Sequence, residues 1–375
     1  MKKILFFISL FIFIVNVNAN TLNSKYSYVY NVDLDKVMYE KDSNTKVPVA
    51  SLTKIMTALI VIENNPDLNK EVTIINSDLK DRFEYAVAGF NVGEKFTINE
   101  LLYGILLPSG SDAVNAAVRT TTNTEEEFIK LMNDKVTELG LKDTHFSNAI
   151  GMDYDNYSTM HDIAKILEYA LKNEKFKEVF TTSKYNILSL ELKGPLSRMN
   201  SDLVGGAKTG FTYAAMYCLA SFSSKDNFNY IVVTAHADSY EHVMNDHVNI
   251  YNYYYNNYKY FDYNVNFDID IKNGKEEVYN INYHTKLYLN NNYDKNKLIY
   301  KYDGIKLIDK TIKKGDKLGF LKIYYDNELL EEVNIYLDST IEYKNYLYLC
   351  FIPIGVIVLI LLIILIIKLK KDRQN

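Results

Sequence analysis

The 375-residue sequence contains no tryptophan, only five prolines and only two cysteines. Two cysteines cannot form a disulfide framework, and because Cys218 and Cys350 both lie in apolar runs, we expect core packing to supply the stability. An excess of basic residues is also missing, since 42 Lys and Arg face 47 Asp and Glu, which excludes the basic surface typical of nucleic-acid-binding proteins. With 48% hydrophobic and 24% charged residues, the composition also excludes a chain that is disordered throughout. We attribute the missing tryptophan and the 33 tyrosines to AT-rich codon usage and not to function.

The N-terminal end carries a short uncharged hydrophobic run. Lys2 and Lys3 precede the apolar run Ile4–Val15, and the small residue Ala19 follows, a pattern that predicts a secretory signal peptide over residues 1–19. An uncleaved membrane anchor is the alternative, but this run is too short for a bilayer core of about 30 Å. We therefore expect an exported protein.

The C-terminal run predicts a membrane anchor. Residues 346–367 carry no charge and would reach about 33 Å as a helix, enough to cross a bilayer. Because the tail at residues 368–375 is rich in lysine and arginine, we expect the tail in the cytoplasm and the preceding chain outside. A buried core helix is the alternative, which the basic tail disfavours. The sequence thus predicts a single-pass protein of the cell membrane, with its folded part on the extracytoplasmic side.

Between these ends the hydrophobic pattern predicts two domains. We interpret residues 20–258 as an α+β domain, because amphipathic helices lie between a hairpin at 26–40 and strands from Tyr213 onward. We expect an antiparallel sheet that is covered by helices. Residues 259–343 lose the helical period and contain short alternating runs separated by turns, which predicts a small all-β sandwich or barrel.

A Ser-x-x-Lys pattern occurs three times, but only the copy from Ser51 to Lys54 opens an apolar helix. Residues three apart share a helix face, so the Lys54 amine can reach the Ser51 hydroxyl. Serine needs a base to become a nucleophile, and lysine can be that base when burial or a neighbouring cation lowers its pKa. The alternative is that Ser51 caps the helix and Lys54 is solvated.

Two further segments place polar residues beside glycine. The Ser-Gly-Ser sequence at 109–111 lies between two predicted helices, and a helix–helix turn is its alternative interpretation. In the Lys-Thr-Gly sequence at 208–210, the lysine and threonine can hold a carboxylate, and Gly210 allows a substrate backbone to approach closely. A glycine-containing turn that leads into a strand at Tyr213 is the alternative.

Taken in this order, the three segments match the Ser-x-x-Lys, Ser-x-Asn and Lys-Thr-Gly motifs of penicillin-recognising serine enzymes. The chain resembles the low-molecular-mass D-alanyl-D-alanine carboxypeptidases of peptidase family S11, strongly over about residues 26–260 and weakly to residue 337. The stretches that carry this resemblance are Ala50–Ala58, Gly93–Thr97, Leu106–Gly110, Thr144–Asn148 and Lys208–Thr212. The resemblance implies a penicillin-binding or β-lactamase-like transpeptidase domain, followed by a small all-β domain and one C-terminal transmembrane helix.

The resemblance also implies a role for each matching residue. Ser51 would be the acylated nucleophile, Lys54 its base, and Ser109 a proton relay to the leaving D-alanine. Lys208 would keep Lys54 neutral by like-charge repulsion. Backbone N–H groups of Ser51 and Phe211 would form the oxyanion hole. The implied substrate-binding residues of the third motif are Lys208, Thr209, Gly210 and Phe211.

Two positions depart from the family pattern. Ser111 stands where the family has asparagine, which would shorten a substrate hydrogen bond. His242 stands where a carboxylate-binding arginine is expected, which would make substrate binding pH-dependent. Both remain substrate-binding candidates. We expect no cofactor and no metal, since the spacing of His236, His242 and His247 does not place them on one helical face.

The resemblance implies a membrane-anchored serine-type D-Ala-D-Ala carboxypeptidase that trims peptidoglycan stem peptides and is acylated by β-lactam antibiotics. A β-lactamase is one alternative, which the anchor and the β domain disfavour. A catalytically inactive cell-wall-binding protein is another, which the presence of Ser51, Lys54 and Lys208 disfavours. We expect no nucleic-acid partner.

Overall fold

The computed structural model of the chain describes residues 22–80, 82–152, 155–199, 201–226, 228–272, 277–343 and 347–372. The chain divides into two units, Met1–Asn256 and Asn257–Asn375. The predicted signal peptide, residues 1–19, lies outside the described residues.

The first unit combines helices with antiparallel strands. Its helices are α1 (Thr53–Asn64), α2 (Ile98–Leu106), α3 (Ser111–Thr121), α4 (Glu125–Glu138), α5 (Met160–Ala170), α6 (Glu174–Phe180) and α7 (Tyr240–Asn257). Its strands are β1 (Tyr26–Asn31), β2 (Lys36–Lys41), β3 (Val47–Pro48), β4 (Glu71–Thr73), β5 (Lys95–Thr97), β6 (Tyr157–Ser158), β7 (Lys184–Ile187), β8 (Leu190–Lys193), β9 (Gly206–Thr212), β10 (Met216–Lys225) and β11 (Phe228–Ala237). Short 3₁₀ turns lie at Ala50–Leu52, Asn76–Leu79 and Pro195–Arg198.

The main sheet has five strands in the order β2-β1-β11-β10-β9, and all neighbours are antiparallel. The predicted hairpin forms β1 and β2, but β1 also pairs along its length with β11, so that Tyr28 lies opposite Val233. Every residue of β1 is therefore buried, as befits an inner strand. Strand β9 lies at the edge of this sheet and contacts the 3₁₀ turn at Ala50–Leu52.

Helix α1 lies in the middle of the helical layer. Its residues Ile55, Met56 and Leu59 are buried in the same hydrophobic core as Val233 of the sheet. The helix contacts α2, α3, α4, α5 and α6. Because neighbours surround it, α1 is apolar on nearly every face, and Lys54 is its buried charged residue.

The Lys-Thr-Gly segment differs from the sequence prediction. A strand that begins at Tyr213, with this segment leading into it, was predicted, but the segment lies inside β9, with Lys208 opposite Ala220 of β10. The turn follows at residues 213–215, where the Thr212 Oγ1 atom accepts a hydrogen bond of 3.0 Å from the Ala215 N–H. The prediction was wrong because glycine is depleted in strands, so Gly206 and Gly210 argued against a strand here. Pairing with β10 stabilises the strand nevertheless.

The second unit is built from strands, with helix α8 (Leu347–Asp372) at its C-terminal end. The strands are β12 (Tyr258–Ile271), β13 (Val278–Asn290), β14 (Leu298–Gly304), β15 (Leu307–Ile308), β16 (Lys317–Tyr325) and β17 (Glu328–Tyr336). They form two three-stranded sheets, β13-β12-β15 and β14-β16-β17, around one core that includes Val265, Ile269, Leu321 and Ile323. The predicted all-β domain is confirmed.

Helix α8 covers most of the predicted membrane anchor. Only the side chains of residues 353 and 355–366 are described in it. Across the described residues, no helix has the length and apolar character needed to cross a membrane. The span predicted at 346–367 extends beyond the described residues and stays a prediction.

Candidate active site

Ser51 and Lys54 meet at the start of α1. Ser51 lies in the 3₁₀ turn that precedes the helix, and the Lys54 Nζ atom is 3.1 Å from the Ser51 Oγ atom. The same Nζ atom donates to the carbonyl oxygen of Ile150 at 2.8 Å. Lys54 is only 1% exposed, and burial lowers its pKa to about 7. Near neutral pH a large share of Lys54 is therefore neutral and can accept the Ser51 proton.

The backbone around Ser51 is tightly packed. Ala50 has a φ of +47°, in the left-handed region that residues other than glycine rarely adopt. Gly151 has φ +89°, and a Cβ atom there would lie 2.1 Å from the Ala50 carbonyl oxygen. A Cβ atom on Gly210 would lie 2.9 Å from the Ser51 nitrogen. Glycine at both positions thus lets β9 and the loop before residue 152 approach the Ser51 turn.

Asn148 holds the loop that contacts Lys54. Its Oδ1 atom accepts hydrogen bonds from the N–H groups of Ile150, Gly151 and Met152, at 3.1, 2.7 and 3.4 Å. This turn directs the Ile150 carbonyl toward the Lys54 amine. Asn148 belongs to a stretch that carries the family resemblance, but no role was predicted for it from the sequence. An asparagine three residues before a glycine is a turn signal that could have identified it.

Ser109, in the turn between α2 and α3, lines the same cavity as Ser51 and Lys54. It has φ +66°, and its buried hydroxyl has no hydrogen-bond partner among the described residues. Ser111 is 1% exposed at the start of α3, and its N–H donates to the Ala86 carbonyl oxygen at 2.8 Å. Ser111 does not line the cavity over Ser51, whereas Ser109 does.

Asp112 anchors a loop that forms another part of the wall. This carboxylate is 1% exposed and accepts hydrogen bonds from the N–H groups of Ala88, Gly89 and Phe90, at 2.7, 2.9 and 3.1 Å. The adjoining residues Glu84, Tyr85 and Ala86 line the cavity. No pattern in the sequence indicates a role for this loop, because its contacts are made only in the folded chain.

Lys208 of β9 is buried, and its Nζ atom donates to the Thr209 carbonyl oxygen at 2.9 Å. Burial, and next the charge of Lys54, hold the pKa of Lys208 well below its usual value. Two buried ammonium groups disfavour each other's charge, so the site favours neutral amines. Thr209, Gly210 and Phe211 line the cavity.

The cavity over Ser51 has a volume of about 330 Å³, within the range of small-molecule sites. Its lining consists of Ser51, Lys54, Glu84, Tyr85, Ala86, Pro108, Ser109, Met152, Arg198, Thr209, Gly210, Phe211, Tyr217 and Tyr240. His242 is not in this lining. Instead its Nδ1 atom pairs with the Asp238 carboxylate, and this hydrogen bond raises the pKa of His242. Sequence reasoning missed Arg198, Tyr217 and Tyr240, which carry no motif.

Two protein-family descriptions match the chain. "D-alanyl-D-alanine carboxypeptidase", peptidase S11, matches residues 14–239, and "Penicillin-binding protein 5, C-terminal domain" matches residues 242–343.

Among curated proteins, the chain is 36% identical over 213 residues to D-alanyl-D-alanine carboxypeptidase DacF of Bacillus subtilis, a match covering 54% of each chain. It is 34% identical over 224 residues to a D-alanyl-D-alanine carboxypeptidase of Streptomyces sp. K15, covering 54% of this chain and 77% of that protein. The match thus spans about half the length of the Bacillus relative.

Among solved structures, the Streptomyces K15 DD-transpeptidase superposes with a TM-score of 0.59 and 31% identity, over 62% of this chain and 97% of that one. A D-alanyl-D-alanine carboxypeptidase DacD from Francisella tularensis gives a TM-score of 0.70 at 19% identity, over 86% of this chain and 94% of that one. The second likeness concerns the fold alone.

Proposed function

The chain belongs to the D-alanyl-D-alanine carboxypeptidase family, peptidase S11, and on that premise we propose that it removes the terminal D-alanine from peptidoglycan stem peptides. Ser51 would be the acylated residue and Lys54 its base. The observation that carries this proposal is the 3.1 Å contact between the Lys54 Nζ and Ser51 Oγ atoms, combined with a lysine pKa of about 7.

In the proposed acylation, neutral Lys54 accepts the Ser51 proton while the Ser51 Oγ atom attacks the carbonyl carbon of the penultimate D-alanine. The N–H groups of Ser51 and Phe211 would stabilise the oxyanion, an effect worth about 3 kcal/mol per donor. As the peptide bond breaks, the leaving amine takes the proton from Lys54 through the Ser109 hydroxyl, and D-alanine departs. The Ser109 hydroxyl lies in the cavity wall and has no hydrogen-bond partner among the described residues, which supports this relay.

Deacylation would reverse the proton path. Water attacks the Ser51 ester while Lys54 accepts a proton from the water, and the shortened peptide leaves with a new carboxylate. Ser51 then regains its proton. A β-lactam antibiotic would acylate Ser51 by the same attack. Thr209, Gly210 and Phe211 line the cavity and would bind the substrate from the β9 side. Lys208 is buried and would act by keeping Lys54 neutral through like-charge repulsion.

The test uses the full chain in detergent, with fluorescent penicillin and a peptide that ends in D-Ala-D-Ala. We expect labelled protein and release of one D-alanine per peptide. Rapid penicillin turnover without D-alanine would instead identify a β-lactamase. Neither labelling nor turnover would identify an inactive wall-binding protein.

We also propose that the chain is exported and held in the cell membrane by its C-terminal segment, with the folded units on the extracytoplasmic side. The uncharged run at 346–367 and the basic tail that follows support this proposal. The test is a carbonate wash of membranes from expressing cells. The full chain should stay in the membrane pellet and a chain ending at residue 343 should not; loss of the full chain from the pellet would refute the anchor.

A further inference from the structure

The second unit contains a cleft of its own, separate from the residues around Ser51. Strand β13 is the end strand of one three-stranded sheet, and β17 is the end strand of the other. Residues of these two strands, together with Asp338 just beyond β17, line a cleft of about 260 Å³. The lining consists of three tyrosines, three asparagines, two isoleucines and one aspartate. Such a surface, with aromatic rings, amides and a single charge, suits a ligand that is polar but uncharged.

Two side-chain hydrogen bonds connect β13 and β17 at the two ends of the cleft. The Tyr279 hydroxyl donates to the Asp338 Oδ1 atom at 2.8 Å, and the Tyr283 hydroxyl donates to the Glu331 Oε1 atom at 2.5 Å. These two tyrosines are four residues apart on β13, a distance of about 13 Å along the strand. Ile281 lies between them in the strand, is buried and lines the cleft. The cleft is therefore bounded at both ends and is longer than one sugar ring.

Three side chains in the lining have no partner among the described residues. Asn282 of β13 and Asn334 of β17 are exposed, and their amides make no side-chain hydrogen bond within the described part of the chain. Tyr336 is 53% exposed, and its ring packs against no other described ring. An amide both donates and accepts hydrogen bonds, which matches an acetamido group. The free face of a tyrosine ring can pack against the C–H groups of a sugar.

The charge of the cleft and its two hydrogen-bonded ends favour an uncharged glycan over an anionic polymer or a peptide strand. The hydrogen bond from Tyr279 lowers the pKa of Asp338, so this carboxylate is negative at neutral pH and repels an anionic ligand. A peptide strand that paired with the edge of β13 would have to run past Tyr279 and Tyr283, where hydrogen bonds already connect β13 to β17. A ligand seated between these bonds leaves both intact.

We infer that this cleft binds an uncharged, N-acetylated glycan chain, with the Tyr336 ring packed on one sugar and the Asn282 and Asn334 amides bonded to acetamido groups. The glycan strands of peptidoglycan have this chemistry. The second unit would then hold the polymer whose stem peptides the first unit is proposed to trim. The site goes beyond the proposed function, because binding at the cleft requires none of the residues assigned to acylation.

The experiment titrates the full chain, in a detergent without a sugar headgroup, with three saccharides by isothermal calorimetry. Chitotetraose carries acetamido groups, cellotetraose has the same backbone without them, and N-acetylglucosamine is a single ring. We expect saturable binding of one chitotetraose per chain, at least about tenfold tighter than binding of either other saccharide, because both lose hydrogen bonds or ring contacts.

Variants of the lining test the two kinds of contact separately. Tyr336→Ala should weaken chitotetraose binding about 5- to 10-fold, whereas Tyr336→Phe keeps the ring and should bind within about twofold of the wild type. Asn282→Ala should weaken chitotetraose binding about 3- to 10-fold and leave cellotetraose binding unchanged, since only the acetamido contact is lost.

Two residues of the same unit supply matched controls. Asn264 of β12 is an exposed strand asparagine with no side-chain hydrogen bond among the described residues, and it does not line the cleft. Tyr300 of β14 is a tyrosine that is 41% exposed and lies outside the lining. Asn264→Ala and Tyr300→Ala should bind chitotetraose as the wild type does.

Several results would overturn the inference: no saturable binding of chitotetraose, equal affinity for cellotetraose or for the single ring, or full affinity in both Tyr336→Ala and Asn282→Ala. Binding of a D-Ala-D-Ala peptide in place of chitotetraose, weakened by the same two variants, would identify a peptide site and would also overturn it. Should Tyr336→Ala fail to fold by thermal melting, Asn282→Ala decides. The proposed function fails separately, when the wild type releases no D-alanine, because this titration measures no catalysis.

Discussion

Acylation of Ser51 should depend on pH through Lys54. The pKa of this lysine is lowered from 10.5 to about 7 by burial, and only the neutral amine can accept the serine proton. The rate constant for acylation should therefore be level above pH 8 and fall about tenfold per pH unit below pH 7. At pH 5 about 1% of the lysine is neutral, so about 1% of the plateau rate should remain.

The assay is the second-order rate constant for labelling of the full chain by fluorescent penicillin between pH 5 and pH 9. A lysine with its ordinary pKa would give a rate that still rises tenfold per unit at pH 9. That outcome would refute the claim that burial lowers the pKa of Lys54 enough for it to act as the base near neutral pH.

The variant Asn148→Asp should shift the pH dependence of acylation to higher pH. Asn148→Asp keeps an oxygen acceptor for the three N–H groups of its turn but places a negative charge close to the Ile150 carbonyl that Lys54 contacts. A nearby carboxylate favours the ammonium form, so the acid limb should move to higher pH by roughly 0.5–1 unit. Asn173→Asp is the matched control, since Asn173 likewise accepts backbone N–H bonds but caps α6. A shift in the control equal to that of Asn148→Asp would contradict the argument.

Four further outcomes are expected. Ser51→Ala should abolish penicillin labelling and D-alanine release without changing the melting temperature, and mass spectrometry of the wild-type adduct should find it on the Ser51 peptide. Gly151→Ala should cost about 3 kcal/mol or more in urea unfolding and slow acylation, because its Cβ would meet the Ala50 carbonyl oxygen at 2.1 Å. Asp112→Ala should lower the free energy of unfolding by about 3 kcal/mol, since it leaves three N–H groups unpaired. Lys54→Met should abolish labelling yet stabilise the fold by up to about 4 kcal/mol at pH 7, a gain that shrinks as pH rises from 7 toward 10.5, where the unfolded lysine also loses its proton.

Local patterns in the sequence predicted much of the first unit. The apolar run after Ser51 located α1. At the start of α5 the Thr159 hydroxyl accepts a hydrogen bond from the Asp162 N–H, a local contact between residues three apart in the sequence. Helix α6 was not predicted, because its seven residues are too few for a clear period. The strand order was not predicted either, since pairing of β1 with β11 joins distant parts of the chain.

The residues of the candidate site were likewise only partly predicted from the sequence. The motifs indicated Ser51, Lys54 and Ser109, which the structure brings to one cavity. Arg198 and the loop at 84–86 carry no pattern of their own, because they reach the cavity through turns whose path depends on tertiary packing. His242 shows the converse, since it was expected at the position of a family arginine but its side chain pairs with Asp238.

The position of β1 in the sheet constrains when the protein can fold. Tyr28 and its partner Val233 are about 200 residues apart, and a ribosome that adds about 5–20 residues per second needs roughly 10–40 s to make that interval. During this time β1 and β2 have no third strand beside them, and Ser51 has no β9 edge across from it. The sheet can be completed only after residue 233 has been synthesised, so the side chains of β1 must be kept from aggregating until β11 follows.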